Sequence, residues 1–398
     1  MTDRALQNRL PPLHQAAPRS LYVHIPFCAS KCWYCDFNSY VQSDAAKTRY
    51  TTALLRELAL LAEEYQTSGD RLRLDTVFFG GGTPTELPLC EWERIAMGLR
   101  EQFAIDESVE WTVEANPGSK SDHLLAALAL LGVNRVSFGA QAFEDDLLKA
   151  IGRRHDTSAI EQSVALAMSA GFSRINLDLM IGLPEQTLAN VQESVRKAID
   201  LGVTHVSVYG LKVEPGTVFA RRQAKGCLPL PDEDLEARMF EEARARLAAV
   251  GIEQYEISNF AKSGAKAHHN LAYWRNRPYL AAGAGAHGYV YGMRYENVKS
   301  LSLYEESLTN ERRPLANTRA VSAQEAMEDS VILGLRLREG VQKAAFAADH
   351  GVDMGAVFGD VIRPLVECGW LLEDAASYRL PVALLPVANE IMLRFLRE

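Results

Sequence analysis

The sequence predicts an α/β chain: a partial (β/α)6 barrel over its first two thirds, then a small C-terminal α+β domain of winged-helix-like pattern. Three observations carry this. Six short apolar runs alternate with helical stretches up to about residue 250, the alternation stops at Gly251, and residues 318–398 carry two helical patterns, a hairpin and a last helix. The strand candidates are 21–25 (LYVHI), 76–79 (TVFF), 110–115 (EWTVEA), 135–139 (RVSFG), 174–180 (RINLDLM) and 205–211 (HVSVYGL). Each is short and near-continuously apolar, as in parallel strands covered on both faces. Helical segments follow at 44–65 behind an Asp44 cap, then at 91–102, 121–131, 157–170, 187–201 and 232–249. Six βα units in a row imply a parallel sheet with right-handed crossovers, and six rather than eight leaves the barrel open. The segments divide as a disordered leader (1–19), the barrel (20–250), a connecting segment (251–317) and the small domain (318–398). Within the last, helices are expected at 323–338, 354–367 and 388–397, with a hairpin near 370–380. The run AAGAGAHGY (281–289) predicts tight turns and close backbone approach.

Composition narrows the function. Of 398 residues 47% are hydrophobic and 23% charged, the balance of a globular protein with a large core. A net charge of −9 argues against bulk attraction to nucleic acid or anionic lipid. The small domain has 8 Lys/Arg against 12 Asp/Glu, so its winged-helix pattern is not expected to bind DNA. No apolar run approaches the roughly 20 residues of a membrane span, and residues 1–20 lack the apolar core of a secretory signal. A cytoplasmic protein is expected, in which cysteines serve as ligands or thiols rather than as disulfides. Cys90, Cys227 and Cys368 are scattered and read as buried or inert.

Cys28, Cys32 and Cys35 are different, because HIPFCASKCWYCDFNSY sets them as CxxxCxxC on the loop after the first strand. Thiolates are the usual ligands of iron–sulfur clusters, four of them as a rule. Three on one loop grip three irons of a [4Fe–4S] cluster and leave the fourth open. S-adenosylmethionine (SAM) chelates such an iron through its amine and carboxylate, and an electron from the cluster then splits it to methionine and a 5′-deoxyadenosyl radical. The alternative is a zinc site closed by His24, against which stands the lack of paired CxxC knuckles. Tyr34, between the last two cysteines, and Tyr22, on the strand before, read either as cover for the adenine or as core packing.

The other motifs stand at strand ends, where α/β barrels place their chemistry. FFGGGTPT brings Gly81, Gly82 and Thr83, whose bare backbone suits a ligand amine. EANPG brings Glu114, a hydrogen-bond acceptor for the SAM amine or ribose. FGAQAF brings Gln141, IGRRHD brings Arg153, and NLDLMIGLPEQT brings Asp178. Alone, Arg153 would read as a surface ion pair and Asp178 as a helix cap.

Together these motifs make residues 21–297 resemble the radical SAM family of oxygen-independent coproporphyrinogen III oxidases, and most closely its HemW-type haem chaperones. The resemblance implies SAM contacts for Glu114, Gln141, Arg153 and Asp178. Two departures from the oxidases weigh against radical decarboxylation of coproporphyrinogen III, the alternative function. Phe37 stands where they carry a further cysteine, and only about twenty residues precede the first strand. HNLAYW (269–274) matches the chaperones' HNxxYW motif, which implies haem binding through His269, Asn270, Tyr273 and Trp274. An imidazole is a common axial ligand and aromatics cover a porphyrin face. His268 is the alternative ligand, and His287 reads as structural, bonding the turn backbone. The expected partners are haem, a haem-acceptor protein and an electron donor of flavodoxin or ferredoxin type.

Overall fold

The computed structural model describes residues 11–66, 69–118 and 121–397. Its first six strands are β1 (Ser20–Ile25), β2 (Thr76–Gly81), β3 (Glu110–Ala115), β4 (Arg135–Gln141), β5 (Arg174–Ile181) and β6 (His205–Gly210). They pair in parallel in sequence order, so all six strand expectations stand within a residue or two. The six expected helices follow them in turn, over Asp44–Tyr65, Leu89–Gln102, Ser121–Leu130, Thr157–Ser169, Leu188–Asp200 and Glu233–Ala248. One detail differs: Ser43, not Asp44, caps the first helix, its hydroxyl accepting from the N–H of Ala46 at 3.4 Å. Asp44 is the first helical residue, where its charge still favours the helix dipole.

The sheet does not stop where the alternation does. The 251–317 stretch, expected as a connection, supplies β7 (Glu253–Gln254), β8 (Asn259–Ala261), β9 (Tyr279–Ala282), β10 (His287–Val290), β11 (Met293–Asn297) and the start of β12 (Leu315–Ala320). Among the described residues, twelve strands lie in the order β12-β11-β10-β9-β1-β2-β3-β4-β5-β6-β8-β7. β9 extends the parallel sheet beside β1 and β8 runs antiparallel beside β6, so β1 and β6 do not meet and the barrel is open. The glycines of AAGAGAHGY make the expected close approach: Gly283 sits at φ +104°, where a Cβ would lie 2.4 Å from the His24 carbonyl.

Of the expected 1–19 leader, residues 1–10 lie outside the described residues. The remainder is not a free tail, since Pro12–Gln15 makes a helical turn whose Leu13 packs with Tyr289, Val321 and Ala326. The C-terminal domain orders its elements helix (Ala323–Gly334), β13 (Val341–Gln342), helices (Lys343–His350, Met354–Glu367), β14 (Leu372–Glu373) and β15 (Ser377–Arg379). With the sheet order β13-β15-β14, all antiparallel, this is a winged-helix arrangement. Its core of Phe346, Met354, Phe358, Ile362 and Leu365 is separate from that of the barrel.

The barrel strands are less uniformly apolar than their sequences suggest. In β4, Val136, Phe138 and Ala140 enter the core under the helices, while Arg135, Ser137, Gly139 and Gln141 line an interior cavity. The same alternation sends Thr112 and Glu114 of β3, Asn176 and Asp178 of β5, and His205, Ser207 and Tyr209 of β6 into that cavity. The β1–β2 side is filled instead by a column of rings, His24, Tyr22, Phe78, His269 and Tyr273, at successive centroid separations of 5.9, 6.2, 5.2 and 4.9 Å. The cavity therefore lies against β3–β6.

Candidate functional site

The three cysteines stand at the mouth of this cavity, all half-buried, with Tyr34, Gly81, Gly82, Thr83, Glu114, Gln141, Arg153 and Asp178 on its walls. Eleven of the residues singled out in the sequence are thus brought to one space. A chain of hydrogen bonds ties the loop to the strand ends. Arg153 donates through Nη2 to the Tyr34 hydroxyl (3.0 Å) and through Nη1 to Asn116 Oδ1 (2.5 Å). Asn116 Nδ2 donates to Thr83 Oγ1 (2.7 Å), which stands 3.6 Å from the Cys28 sulfur. Arg153 is therefore no surface ion pair. Asn116, directly after the EA of EANPG, carries no signal in the sequence, yet it joins the two halves of this chain.

The glycine turn is shaped by β1. Gly81 has φ +103°, and a Cβ there would stand 2.3 Å from the His24 ring. The N–H groups are already used: Gly81 donates to Glu114 Oε2 (3.1 Å), Gly82 to the Ile25 carbonyl (3.0 Å) and Thr83 to the Phe27 carbonyl (2.6 Å). What this turn offers a ligand amine is oxygen. Gln141 ends β4 at φ +70°, a left-handed conformation that is costly for a side-chain-bearing residue. It coincides with a slip in the β4–β5 register after Phe138.

Two carboxyl groups face each other across the cavity. Burial, and then Asp178, push the Glu114 carboxyl up to about 8. Asp178 is raised by burial too, although Ser207, Asn176 and Ser137 stabilise its charge. It lies within β5 and caps no helix; Ser137 Oγ and Asn176 Nδ2 donate to it at 3.1 and 2.8 Å. Both acids suit a ligand that brings positive charge.

The donor set fits an iron–sulfur cluster better than zinc. His24, the fourth ligand a zinc site would need, has Nδ1 3.0 Å from the Tyr22 hydroxyl and Nε2 2.9 Å from the Asn38 carbonyl. Among the described residues, no three His, Cys, Asp or Glu side chains converge on a single-ion position. Burial raises the thiols of Cys28 and Cys35, so both favour the protonated form until a cation replaces the proton.

Other expectations fare differently. Tyr22 stands behind the cavity wall, bonded to His24 and stacked on Phe78. Cys90, Cys227 and Cys368 are exposed, not buried. His287 is exposed and faces the Glu296 carboxylate at 3.6 Å rather than turn backbone. HNLAYW forms a short helix, His268–Trp274, beneath the N-terminal ends of β2 and β3. Glu110, which opens β3, accepts from the N–H groups of His268 (3.0 Å) and His269 (2.9 Å). The four motif residues do not share a face. His269, 1% exposed, meets Thr76 Oγ1 through Nδ1 and the Tyr273 hydroxyl through Nε2, both at 2.8 Å. Asn270 lines the cavity, and Trp274 packs toward Leu337 of the C-terminal region. In this arrangement neither His269 nitrogen is free for iron. Burial also pushes its imidazole down to about 3, which keeps it neutral. Beside it, His268 is exposed.

Comparison with known proteins places this architecture. The sequence profile of the Radical SAM superfamily matches residues 22–198, and that of the HemN C-terminal domain matches residues 321–382. The heme chaperone HemW of Bacillus subtilis is 40% identical over 382 residues, which cover 96% of this chain and all of that protein. The heme chaperone HemW of Escherichia coli is 33% identical over 98% of this chain and all of its own length. Among solved structures, coproporphyrinogen III oxidase (HemN) of Escherichia coli superposes with a TM-score of 0.83 at 23% identity, covering 99% of this chain and 93% of that one, a likeness of fold. Radical SAM membership implies a [4Fe–4S] cluster and SAM as cofactors. The chain belongs to the HemW family, within the radical SAM superfamily.

Proposed function

We propose that this protein binds haem and passes it to an acceptor protein, and that Cys28, Cys32 and Cys35 hold a [4Fe–4S] cluster with SAM at the cavity mouth. The observation that carries this reading is the 40% identity to a heme chaperone along that protein's whole length, in a chain whose cavity gathers three thiols and two carboxyl groups that burial raises. Phe37 supports it. This ring lines the mouth at 61% exposure, where the oxidases carry a cysteine, and can only pack against a ligand or partner.

Cys28, Cys32 and Cys35 would hold the cluster at the mouth, and SAM bound there would supply a sulfonium open to one-electron cleavage. Carbonyl oxygens of the glycine turn would receive the SAM amine, with Glu114 beside them once it gives up its proton. Gln141, Arg153 and Asp178 would orient the nucleoside, and Tyr34 would cover it. The electron comes from a flavodoxin or ferredoxin type of donor. Haem docks on the HNLAYW segment, where His268 offers the accessible imidazole and His269 and Tyr273 hold the helix in place. The protein works in the cytoplasm; no helix among the described residues is long and apolar enough to cross a membrane.

Haem titration of anaerobically prepared protein tests this. A Soret band saturating near one haem per chain, weakened by His268→Ala with the cluster intact, is expected. The same preparation with SAM, reductant and coproporphyrinogen III is expected to yield no protoporphyrinogen. Turnover there, or no haem binding, would overturn the proposal.

A further inference from the structure

The mechanism above uses only the upper half of the barrel cavity. Its floor is built differently. Arg135 opens β4 and Gln141 closes it, so at about 3.3 Å per residue the two ends lie roughly 20 Å apart. Both line the same continuous space. Arg135 is 2% exposed, yet among the described residues its guanidinium makes one hydrogen bond, Nη1 to the Ala265 carbonyl at 2.8 Å, and has no carboxylate within ion-pair distance. Glu110, the nearest acid on the floor, is committed to the N–H groups of His268 and His269 and lies 3.9 Å from Arg174. The remaining guanidinium donors make no hydrogen bond to the described residues, and the side chain lines the cavity.

A second group points the same way. Thr112 is the direct neighbour of Arg135 in the β3–β4 register, also lines the cavity, and its buried hydroxyl has no partner. Asn270 of HNLAYW completes the floor. Glu110 and Asp178 act on this buried cation only from beyond ion-pair distance, and a fork of donors left empty adds to the cost of burying it. The chemistry that compensates both is a planar anion with two acceptor oxygens, which a guanidinium receives side-on.

We propose that the floor of the barrel is a carboxylate-binding subsite, in which Arg135 and Thr112 receive the acid end of an organic ligand. That acid end belongs either to the propionate arm of a tetrapyrrole or to a free short-chain acid. The first source rests on the haem-binding reading; the second does not.

The experiment uses cluster-loaded, full-length protein with saturating SAM, so that the open iron is occupied. Haem and haem dimethyl ester are titrated by the Soret band, and sodium propionate by saturation-transfer NMR. Wild type is compared with Arg135→Gln and with Thr112→Val, which removes the hydroxyl at nearly constant volume and stands in if the arginine variant fails to fold. For a propionate arm, haem binds about 30-fold more tightly than its ester, and Arg135→Gln abolishes that preference. For a free acid, haem and ester bind alike, while propionate shows saturation transfer that both variants lose. The cluster, some 20 Å away, keeps its iron in every case. Equal binding of haem and ester together with propionate transfer that is absent, or unchanged in either variant, would overturn the subsite and leave the guanidinium solvated by water. If wild type binds no haem at all, the haem-chaperone reading falls, and the propionate arm alone still decides the subsite.

Discussion

Replacing Gly81 by alanine tests how the glycine turn after β2 is built. Gly81 holds φ +103°, a conformation that costs a side-chain-bearing residue about 1–3 kcal/mol. The new methyl group would also stand 2.3 Å from the His24 ring, which is not free to swing. That ring is fixed by the Tyr22 hydroxyl at 3.0 Å and the Asn38 carbonyl at 2.9 Å. Displacing it forfeits two hydrogen bonds at about 1 kcal/mol each. The sum is about 3–5 kcal/mol, of which about 2 kcal/mol belongs to His24. Urea unfolding of the cluster-free protein, followed by tryptophan fluorescence, measures it in a double-mutant cycle with His24→Ala. In the His24→Ala background the clash is absent, so Gly81→Ala is expected to lose only the backbone share, and the two changes couple by about 2 kcal/mol. A Gly81→Ala effect below about 0.5 kcal/mol, or the same effect in both backgrounds, would refute the reasoning.

Anaerobic reconstitution is expected to give about four irons and four sulfides per chain, lost in Cys28→Ala, Cys32→Ala and Cys35→Ala and kept in variants of the exposed Cys90, Cys227 and Cys368; stoichiometric zinc without sulfide would contradict this. Glu114 keeps its proton up to about pH 8, so it favours the fold below its unfolded value of 4.5, and that contribution is lost as pH rises from there to about 8. SAM brings positive charge and should expel this proton: calorimetry near pH 7 in buffers of different ionisation enthalpy is expected to show proton release in wild type and none in Glu114→Gln. His269→Ala is expected to destabilise the protein by about 2–4 kcal/mol through its two buried hydrogen bonds and its stack on Phe78. His268→Ala, at an exposed position, should stay within about 0.5 kcal/mol in the same unfolding assay.

Much of the site was legible along the chain because its signals are local. The CxxxCxxC spacing, the glycine run after β2 and the βα alternation are each written within a few residues, and backbone periodicity acts at that range. The polar lining of the barrel was written there too, as Thr112/Glu114, Arg135/Ser137, Asn176/Asp178 and His205/Ser207, each pair two residues apart in a strand. It was hidden by the apolar residues between them, which made the strands read as apolar on both faces. Asn116 had no periodic signal, and its place between Arg153 and Thr83 exists only once three strand ends meet.

By itself, then, the sequence determined the strands and helices of the barrel, the grouping of three cysteines on one loop and the family motifs, since propensity and spacing act between near neighbours. Only the tertiary structure decided that β9 joins β1 and that rings fill one side of the barrel and leave the cavity on the other. It also decided that His269, promising as a ligand on its own, spends both nitrogens on Thr76 and Tyr273. The availability of a side chain is set by what the chain brings against it from far away: Thr76 is 193 positions from His269, and no local pattern records that contact.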